Sequence, residues 1–160
     1  MFNITLITIG KLKEKFYLSA AMEYSKRLSG YCSFQLLELP EYRLSDNPSP
    51  AEIQAGLEKE AEAIVSKIPK GAWFCVFTPE GKNISSEEFA QKLKEIKISG
   101  KSNACFLIGS SFGIADRIKQ MADGKISMGK MTFPHHLARI MVMEQLYRAE
   151  AIQAGSKYHK

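Results

Sequence analysis

The stretch Cys105-Phe-Leu-Ile-Gly-Ser-Ser-Phe-Gly113 decides the fold, because it runs from an apolar segment into a turn bounded by two glycines. A short, continuously apolar segment is typical of a parallel strand that is covered on both faces. The turn precedes a predicted helix, so its free backbone amides could face a ligand. A strand-to-helix turn also needs glycine for structural reasons alone, and the motif is neither GxGxxG nor a P-loop. The stretch therefore predicts a buried strand and leaves the role of its turn open.

Strands and helices alternate on both sides of this stretch. Apolar runs and apolar residues at every second position predict strands at 2–9, 33–39, 72–78, 103–108 and 125–128. Apolar residues that recur at intervals of three and four predict helices at 14–29, 50–68, 85–96, 114–122 and 134–154. Capping boxes at Ser49/Glu52 and Ser85/Glu88 mark two of the helix starts. The pattern predicts an α/β fold with a mostly parallel sheet, formed by one domain over residues 1–160.

Ligands of open parallel sheets bind outside the carboxyl ends of the strands. Here those ends are Thr78–Gly81, Gly109–Gly113 and Met128–Phe133. The first of them overlaps a predicted turn over residues 79–82. The last segment combines apolar side chains with a turn just before a helix that begins at Pro134. It suits a flat, mostly apolar ligand such as an adenine ring, although its methionines also suit the filling of core gaps.

The last predicted helix carries His135, Arg139 and Arg148. His135 and Arg139 share a face, whereas Arg148 points nearly opposite to Arg139. The helix is apolar on more sides than one core face requires, which favours a homodimer, with a larger core as the alternative. The tail 156–160 holds one tyrosine, one histidine and two lysines, a composition that suits a single-stranded RNA loop.

Charge and composition narrow the class of protein. From Lys125 onward six Lys or Arg stand against two Glu, so +4 of the formal net charge of +5 lies in this last part. Three well-separated cysteines indicate reduced core thiols. The adjacent His135 and His136 have no cysteine or carboxylate at ligand spacing, so no metal site is expected. No apolar stretch approaches the length of a membrane span and no signal peptide is recognisable, which predicts a cytoplasmic protein.

Several segments together resemble the SPOUT-class methyltransferases that methylate N3 of a pseudouridine in bacterial 23S ribosomal RNA. The resemblance covers the whole chain, and the segments that carry it are Ile7-Thr-Ile-Gly-Lys-Leu-Lys13, Phe106-Leu-Ile-Gly109, Ser127 to His135 with Arg139, Glu144-Gln-Leu-Tyr-Arg-Ala149 and Tyr158-His-Lys160. The chain departs from the family pattern directly after Gly109, where Ser110-Ser-Phe112 replaces a turn that usually has a second glycine.

The resemblance implies an α/β fold with a C-terminal trefoil knot, an obligate homodimer and S-adenosylmethionine as methyl donor. It implies 23S ribosomal RNA as substrate, within the large subunit or the 70S ribosome. The cofactor contacts carried over by position are Phe77, Gly109, Met128, Gly129, Lys130, Met131, Thr132 and Phe133.

The mechanism expected from the resemblance places the cofactor in the turns of one subunit and the tail residues Tyr158, His159 and Lys160 from the other beside it. Arg139 and Arg148 would bind phosphates or the developing charge. His159 is the first choice for the acceptor of the N3 proton and His135 the second. Two other classes stay open: a catalytically inactive knot-fold module that binds ribosomal RNA as an assembly factor, and a flavodoxin-like nucleotide-binding protein.

Overall fold

The protein is described by a computed structural model that covers residues 1–159, so Lys160, one of the predicted catalytic residues, lies outside the described residues. The strands are β1 (Asn3–Ile9), β2 (Ser33–Leu39), β3 (Trp73–Asn83), β4 (Asn103–Ile108) and β5 (Gly124–Ser127). The helices are α1 (Lys15–Leu28), α2 (Pro50–Lys67), α3 (Ser86–Ile98), α4 (Asp116–Met121) and α5 (His135–Gln153). The strands form one parallel sheet in the order β2-β1-β4-β3-β5, which confirms the predicted α/β fold.

Two cores cover the two faces of the sheet, and the pleat of β1 shows how they separate. Ile4 and Leu6 point into one core, where α1, α3 and α5 pack. Ile7 and Ile9 point into the other, which includes residues of α2 and α4. Because successive strand residues face opposite sides, a strand that is covered on both faces has to be apolar throughout. This explains why β4, the central strand, is apolar and buried from Ala104 to Ile108.

The predicted helix starts are confirmed at both capping boxes. In α2 the Ser49 hydroxyl accepts a hydrogen bond from the Glu52 amide and the Glu52 carboxylate accepts one from the Ser49 amide, with Pro50 at the first helical position. Ser85 and Glu88 form the same pair of bonds at the start of α3. These boxes fix the starts of the two helices that precede and follow β3 in the chain.

The predicted turn at 79–82 is wrong in one respect, since it does not end β3. Both Phe77 and Lys82 pair with Ile126 of β5, so residues 78–81 bulge out of the ladder and the strand then resumes to Asn83. Gly81 makes this possible, because a Cβ there would lie 2.5 Å from the Ile126 carbonyl carbon. Pro79, which has no N–H to donate, fits the excursion.

Helix α5 lies between α1 and α3 and is buried or half-buried along its whole length. The broad apolar surface that favoured a homodimer is therefore largely used within one chain, as in the alternative of a larger core. Helix α4 begins at Asp116, two residues later than expected, because the preceding turn is closed by a bridge between Ser110 and Gly113.

The three cysteines are free, buried thiols, as predicted. Burial raises the pKa of Cys32, Cys75 and Cys105 to about 12, so they remain protonated and unreactive. No helix in the part of the chain described here is both long and apolar enough to cross a bilayer.

Candidate functional site

A cavity of about 860 Å³ opens at the carboxyl edge of the sheet, between the bulge of β3 and the ends of β4 and β5. Residues from the bulge and from both strand ends line it, together with His135 and Ala138 of α5. The eight predicted cofactor contacts all lie on its walls: Phe77, Gly109, Met128, Gly129, Lys130, Met131, Thr132 and Phe133. The structure thus brings together residues that lie up to 56 positions apart in the sequence, from Phe77 to Phe133.

The turn after β4 forms one wall, and Gly109 fixes its shape. A Cβ at Gly109 would collide with the Gly113 carbonyl oxygen and lie 2.5 Å from Cγ1 of Ile114. The Gly113 amide donates to the Ser110 carbonyl at 2.9 Å, and Gly113 has a φ of +95° that favours glycine. Ser110, which replaces the usual second glycine, is 8% exposed, so its side chain is accommodated within the protein.

The opposite wall is the segment 128–134 between β5 and α5. Ser127 anchors its start, since its hydroxyl accepts a hydrogen bond from the Gly129 amide at 3.1 Å. Met128 and Phe133 are half-buried, whereas Met131 is 78% exposed. Met128 packs against the core, as the packing interpretation predicts, whereas a side chain as exposed as Met131 at a cavity rim does not fill the core and fits the ligand interpretation.

The bulge of β3 places an ion pair between Glu80 and Lys119 at the rim. The Thr78 hydroxyl donates a hydrogen bond to the Glu80 carboxylate, and the Lys119 ammonium contacts it at 3.1 Å. The pKa of Glu80 is lowered to about 2, mainly by the hydrogen bond from Thr78 and then by hydrogen bonds from the backbone and Lys119. Glu80 is therefore ionised at every physiological pH.

His135 is the one predicted catalytic residue that lines this cavity among residues 1–159. Its pKa is lowered from 6.5, mainly because burial disfavours the charged ring, and also because His136 is close by. The two rings lie 4.3 Å apart between centroids. His135 is therefore neutral near pH 7 and has a lone pair available to accept a proton.

Arg139 lies deeper and is 1% exposed. Its Nη1 contacts Oε2 of Glu38 at 2.6 Å, and its Nη2 donates to the carbonyl oxygens of Gly10 at 2.8 Å and Ile9 at 3.3 Å. The same Glu38 oxygen accepts the Leu12 amide at 3.0 Å. This guanidinium is thus occupied in holding the chain that leaves β1, and it does not reach the cavity surface in this structure.

Arg148 and the tail form a separate cluster on α5. Glu144 is its centre: Oε1 accepts hydrogen bonds from Arg148 Nη2 at 2.7 Å and from the Tyr158 hydroxyl at 2.9 Å. The Tyr158 ring packs against Tyr147 with centroids 4.8 Å apart. The pKa of Arg148 is raised, mainly by its hydrogen bond to Glu144. The pKa of Tyr158 is also raised, first because desolvation disfavours the phenolate and then because of the hydrogen bond to Glu144.

His159 bridges this cluster to α3, and its hydrogen bonds define its tautomer. Arg148 Nη1 lies 3.1 Å from Nδ1 of His159, and Oε1 of Glu87 lies 2.6 Å from Nε2. A guanidinium only donates, so Nδ1 accepts and Nε2 carries the proton that it donates to Glu87. Both ring nitrogens are therefore in use, and His159 has no free lone pair in this arrangement.

A second cavity, of about 460 Å³, adjoins the first. The two share Phe77, Ser127, Met128 and Gly129, and Glu144 of the tail cluster lines the second cavity only. The tail cluster is thus separated from the larger cavity of its own chain by the smaller one.

Sequence reasoning missed Glu38, Glu87 and Glu144. The spacing of Glu144 and Arg148 by four residues in a predicted helix was a usable signal for their ion pair. Glu38 and Glu87 gave no such signal, because their partners lie 101 and 72 residues away. Among residues 1–159 no group of three or more His, Cys, Asp or Glu side chains is arranged to hold a metal ion.

A parallel sheet with helices on both faces and a ligand-sized cavity at its carboxyl edge defines the class: an α/β protein with the architecture in which small molecules bind beside the strand ends. The chain belongs to the SPOUT methyltransferase family, because the family model described as a predicted SPOUT methyltransferase matches residues 2–159. This agrees with the family resemblance seen in the sequence.

Curated relatives agree with this assignment, and two solved structures share the fold. The chain is 46% identical to a ribosomal RNA large subunit methyltransferase H of Leuconostoc mesenteroides and 41% identical to one of Enterococcus faecalis, each over 99% of both chains. A tRNA (m1G37) methyltransferase structure from Aquifex aeolicus has a TM-score of 0.52 at 13% identity, over 91% of this chain and 69% of that one. A probable methylase family protein from Haemophilus influenzae gives 0.50, over 99% and 70%. At such identity these two structures show a shared fold.

Proposed function

We propose that this protein transfers a methyl group from S-adenosylmethionine to N3 of a pseudouridine in 23S ribosomal RNA, acting in the cytoplasm on the large subunit or the 70S ribosome. The observation that carries the proposal is the cavity at the strand ends, whose walls hold all eight residues expected to contact the methyl donor. The relatives named as ribosomal RNA large subunit methyltransferases match almost the whole length of the chain and support the choice of substrate.

The cavity fits such a donor by size and chemistry. Its volume of about 860 Å³ lies in the range of small-molecule sites, roughly 300 to 1,000 Å³. Phe77, Met128 and Phe133 offer apolar walls for an adenine ring, and the turns that carry Gly109 and Gly129 bring backbone groups to the surface.

The residues of the chain then have three tasks. When bound, S-adenosylmethionine supplies an activated methyl group, so the protein has to orient the acceptor, exclude water and remove the N3 proton. We propose His135 as the proton acceptor, because it is neutral, lines the cavity and is close to the strand ends. His159, the first choice from sequence, becomes available only if it leaves Arg148 and Glu87.

We propose that the site is completed by a second copy of the chain, which contributes Tyr158, His159, Lys160 and Arg148 to bind RNA and the developing charge. In support of this, neither Arg148 nor the described tail residues line the larger cavity of their own chain. Arg139 is assigned an indirect role through the backbone of residues 9–12. The trefoil knot remains part of this proposal, as the family implies it.

Mass analysis of ribosomal RNA from cells that lack the protein tests the function. We expect one methyl group to be missing from a pseudouridine of 23S RNA, and an unchanged modification pattern would contradict the proposal. Calorimetry with S-adenosylmethionine separates an enzyme from an inactive assembly factor, which need not bind the donor. Comparing naked RNA with large subunits as substrate tests the ribosomal context, and equal rates would argue against it.

A further inference from the structure

We propose that the segment 11–16, which we call the basic loop, is an RNA-binding surface that contacts backbone phosphates through its lysines and an unpaired base through Phe16. Lys11, Lys13 and Lys15 are exposed, and Phe16 is 66% exposed. Cations next to a solvent-exposed aromatic ring are the combination that single-stranded RNA requires, for phosphates and for stacking. The proposal rests on the proposed function, because it takes the ligand of this basic surface to be the RNA substrate.

The fold holds the basic loop in one conformation. Leu12 is 7% exposed and its amide donates to Glu38, so the lysines on either side of it are turned to solvent. Arg139 binds the Gly10 carbonyl at 2.8 Å, just before the loop, and the Gly10 amide donates to the Leu39 carbonyl at 2.7 Å. The buried Arg139 thus positions a surface that carries other cations.

The loop also lies at the edge of the sheet where the cavity opens. It follows β1, which is paired with β4 up to Thr8 and Ile108, so the ends of these two strands are neighbours. A Cβ on Gly10 would lie 3.9 Å from Nε2 of His136, the residue next to His135 on the cavity wall. An RNA strand that reaches the cavity from this side passes over the loop.

The three lysines of the basic loop do not contribute to the stability of the fold through ion pairs or helix capping. None of them forms an ion pair with a carboxylate among residues 1–159. Helix α1 begins at Lys15 with no acidic residue in its first turn and no side-chain cap, so these cations face the positive end of the helix dipole. The neighbouring acids are Glu38, which is paired with Arg139, Glu14, which lies 3.9 Å from His136, and Glu41 near Gly10. Three lysines exceed the two carboxylates that have no arginine or lysine partner within the described part of the chain, so the segment remains net positive.

The test compares two variants with the same change in charge in the full-length protein. One replaces the loop lysines (Lys11→Gln, Lys13→Gln, Lys15→Gln). The control replaces three exposed lysines that form no ion pair within residues 1–159 (Lys67→Gln, Lys70→Gln, Lys94→Gln). Binding of a labelled oligouridine and of large ribosomal subunits is measured across a salt series. We expect the loop variant to lose affinity by about tenfold at low salt and its salt slope to fall by about 2, close to 0.7 per lost phosphate contact.

Phe16→Ala gives an independent readout, because stacking does not depend on counterion release. We expect a loss of affinity of about tenfold with an unchanged salt slope. Thermal melting should show no drop in Tm for the loop variant, since it removes cations from a helix start. Equal losses in the loop and control variants, or no loss in the loop variant, would overturn the proposal.

Two further measurements distinguish other occupants of this surface. Binding to vesicles of phosphatidylglycerol and phosphatidylcholine that depends on the basic loop, without RNA binding, would point to a membrane and overturn the proposal. A changed sedimentation coefficient in the Phe16→Ala variant would point to contact between copies and also overturn it. Calorimetry with S-adenosylmethionine should be unaffected by every loop variant, so a failure of the proposed methyl transfer is seen separately from a failure of the loop.

Discussion

Arg139 and Glu38 are 101 residues apart in sequence, and their side chains meet through a contact of 2.6 Å between Nη1 and Oε2. Arg139 is 1% exposed and Glu38 28%, so the pair closes the space between α5 and the end of β2. The same guanidinium holds two carbonyl oxygens at the end of β1. One side chain therefore ties the last helix to the first two strands.

Replacing this arginine should be costly for stability. Arg139→Met leaves the Ile9 and Gly10 carbonyls and Glu38 without their donor, and removing one partner of a buried ion pair costs about 3 kcal/mol. Urea unfolding monitored by circular dichroism measures the loss. The control is Arg117→Met, which breaks the exposed pair of Arg117 with Glu58 and should cost less than about 1 kcal/mol. Similar losses for the two variants would contradict the assigned role of Arg139.

Gly109 gives a prediction that separates the cavity from the rest of the fold. In Gly109→Ala the new methyl group would collide with the Gly113 carbonyl oxygen and Ile114, so the turn that lines the cavity has to move. Overpacking of this kind costs roughly 1 to 3 kcal/mol. We expect the affinity for S-adenosylmethionine, measured by calorimetry, to fall by about tenfold or more.

Gly30→Ala is the matched control, because its Cβ would meet only the Arg27 carbonyl oxygen at an ordinary 3.5 Å. It should bind S-adenosylmethionine as the unmodified protein does. Unchanged binding by Gly109→Ala would show that the cavity of about 860 Å³ does not hold the methyl donor.

The sequence was sufficient to predict what depends on local patterns. The strands, the capping boxes at Ser49 and Ser85 and the strand ends around the cavity all follow from periodicity and helix-start chemistry. These local patterns did not predict that β3 resumes after its bulge, because the resumption depends on Gly81 packing against the distant backbone of Ile126. The same holds for Arg139: its residue type suggested substrate binding, and only its partner, Glu38, shows the structural use.

His135 predicts how activity and stability depend on pH. Its pKa in the folded protein is lowered from 6.5, so the unfolded chain binds the proton first as the pH falls. Its contribution to stability is thus complete above pH 6.5 and is lost as the pH falls below that value. The methylation rate should decrease over the same acidic range, where the ring becomes protonated.

The variant His135→Gln should lose the acidic limb of the pH-rate profile, and its kcat should fall by about a hundredfold or more. Urea unfolding of the variant at several pH values should show a smaller loss of stability on the acid side. His159→Ala, measured in parallel, tests the other candidate. A normal acidic limb in His135→Gln that is absent in His159→Ala would move the role of proton acceptor to His159.

The proposed composite site can be tested by mixing two chains that are impaired in different parts of the site. One chain lacks Tyr158 to Lys160 and keeps an intact cavity, and the other carries Gly109→Ala and keeps an intact tail. If a tail completes the cavity of the partner, a mixed dimer contains one complete site, so co-expression should restore up to about half of the activity per dimer. If each tail serves its own chain, no mixed dimer contains a complete site. Methyl incorporation into large ribosomal subunits measures the difference, and activity no higher than the sum of the two separate variants would contradict the exchange of tails.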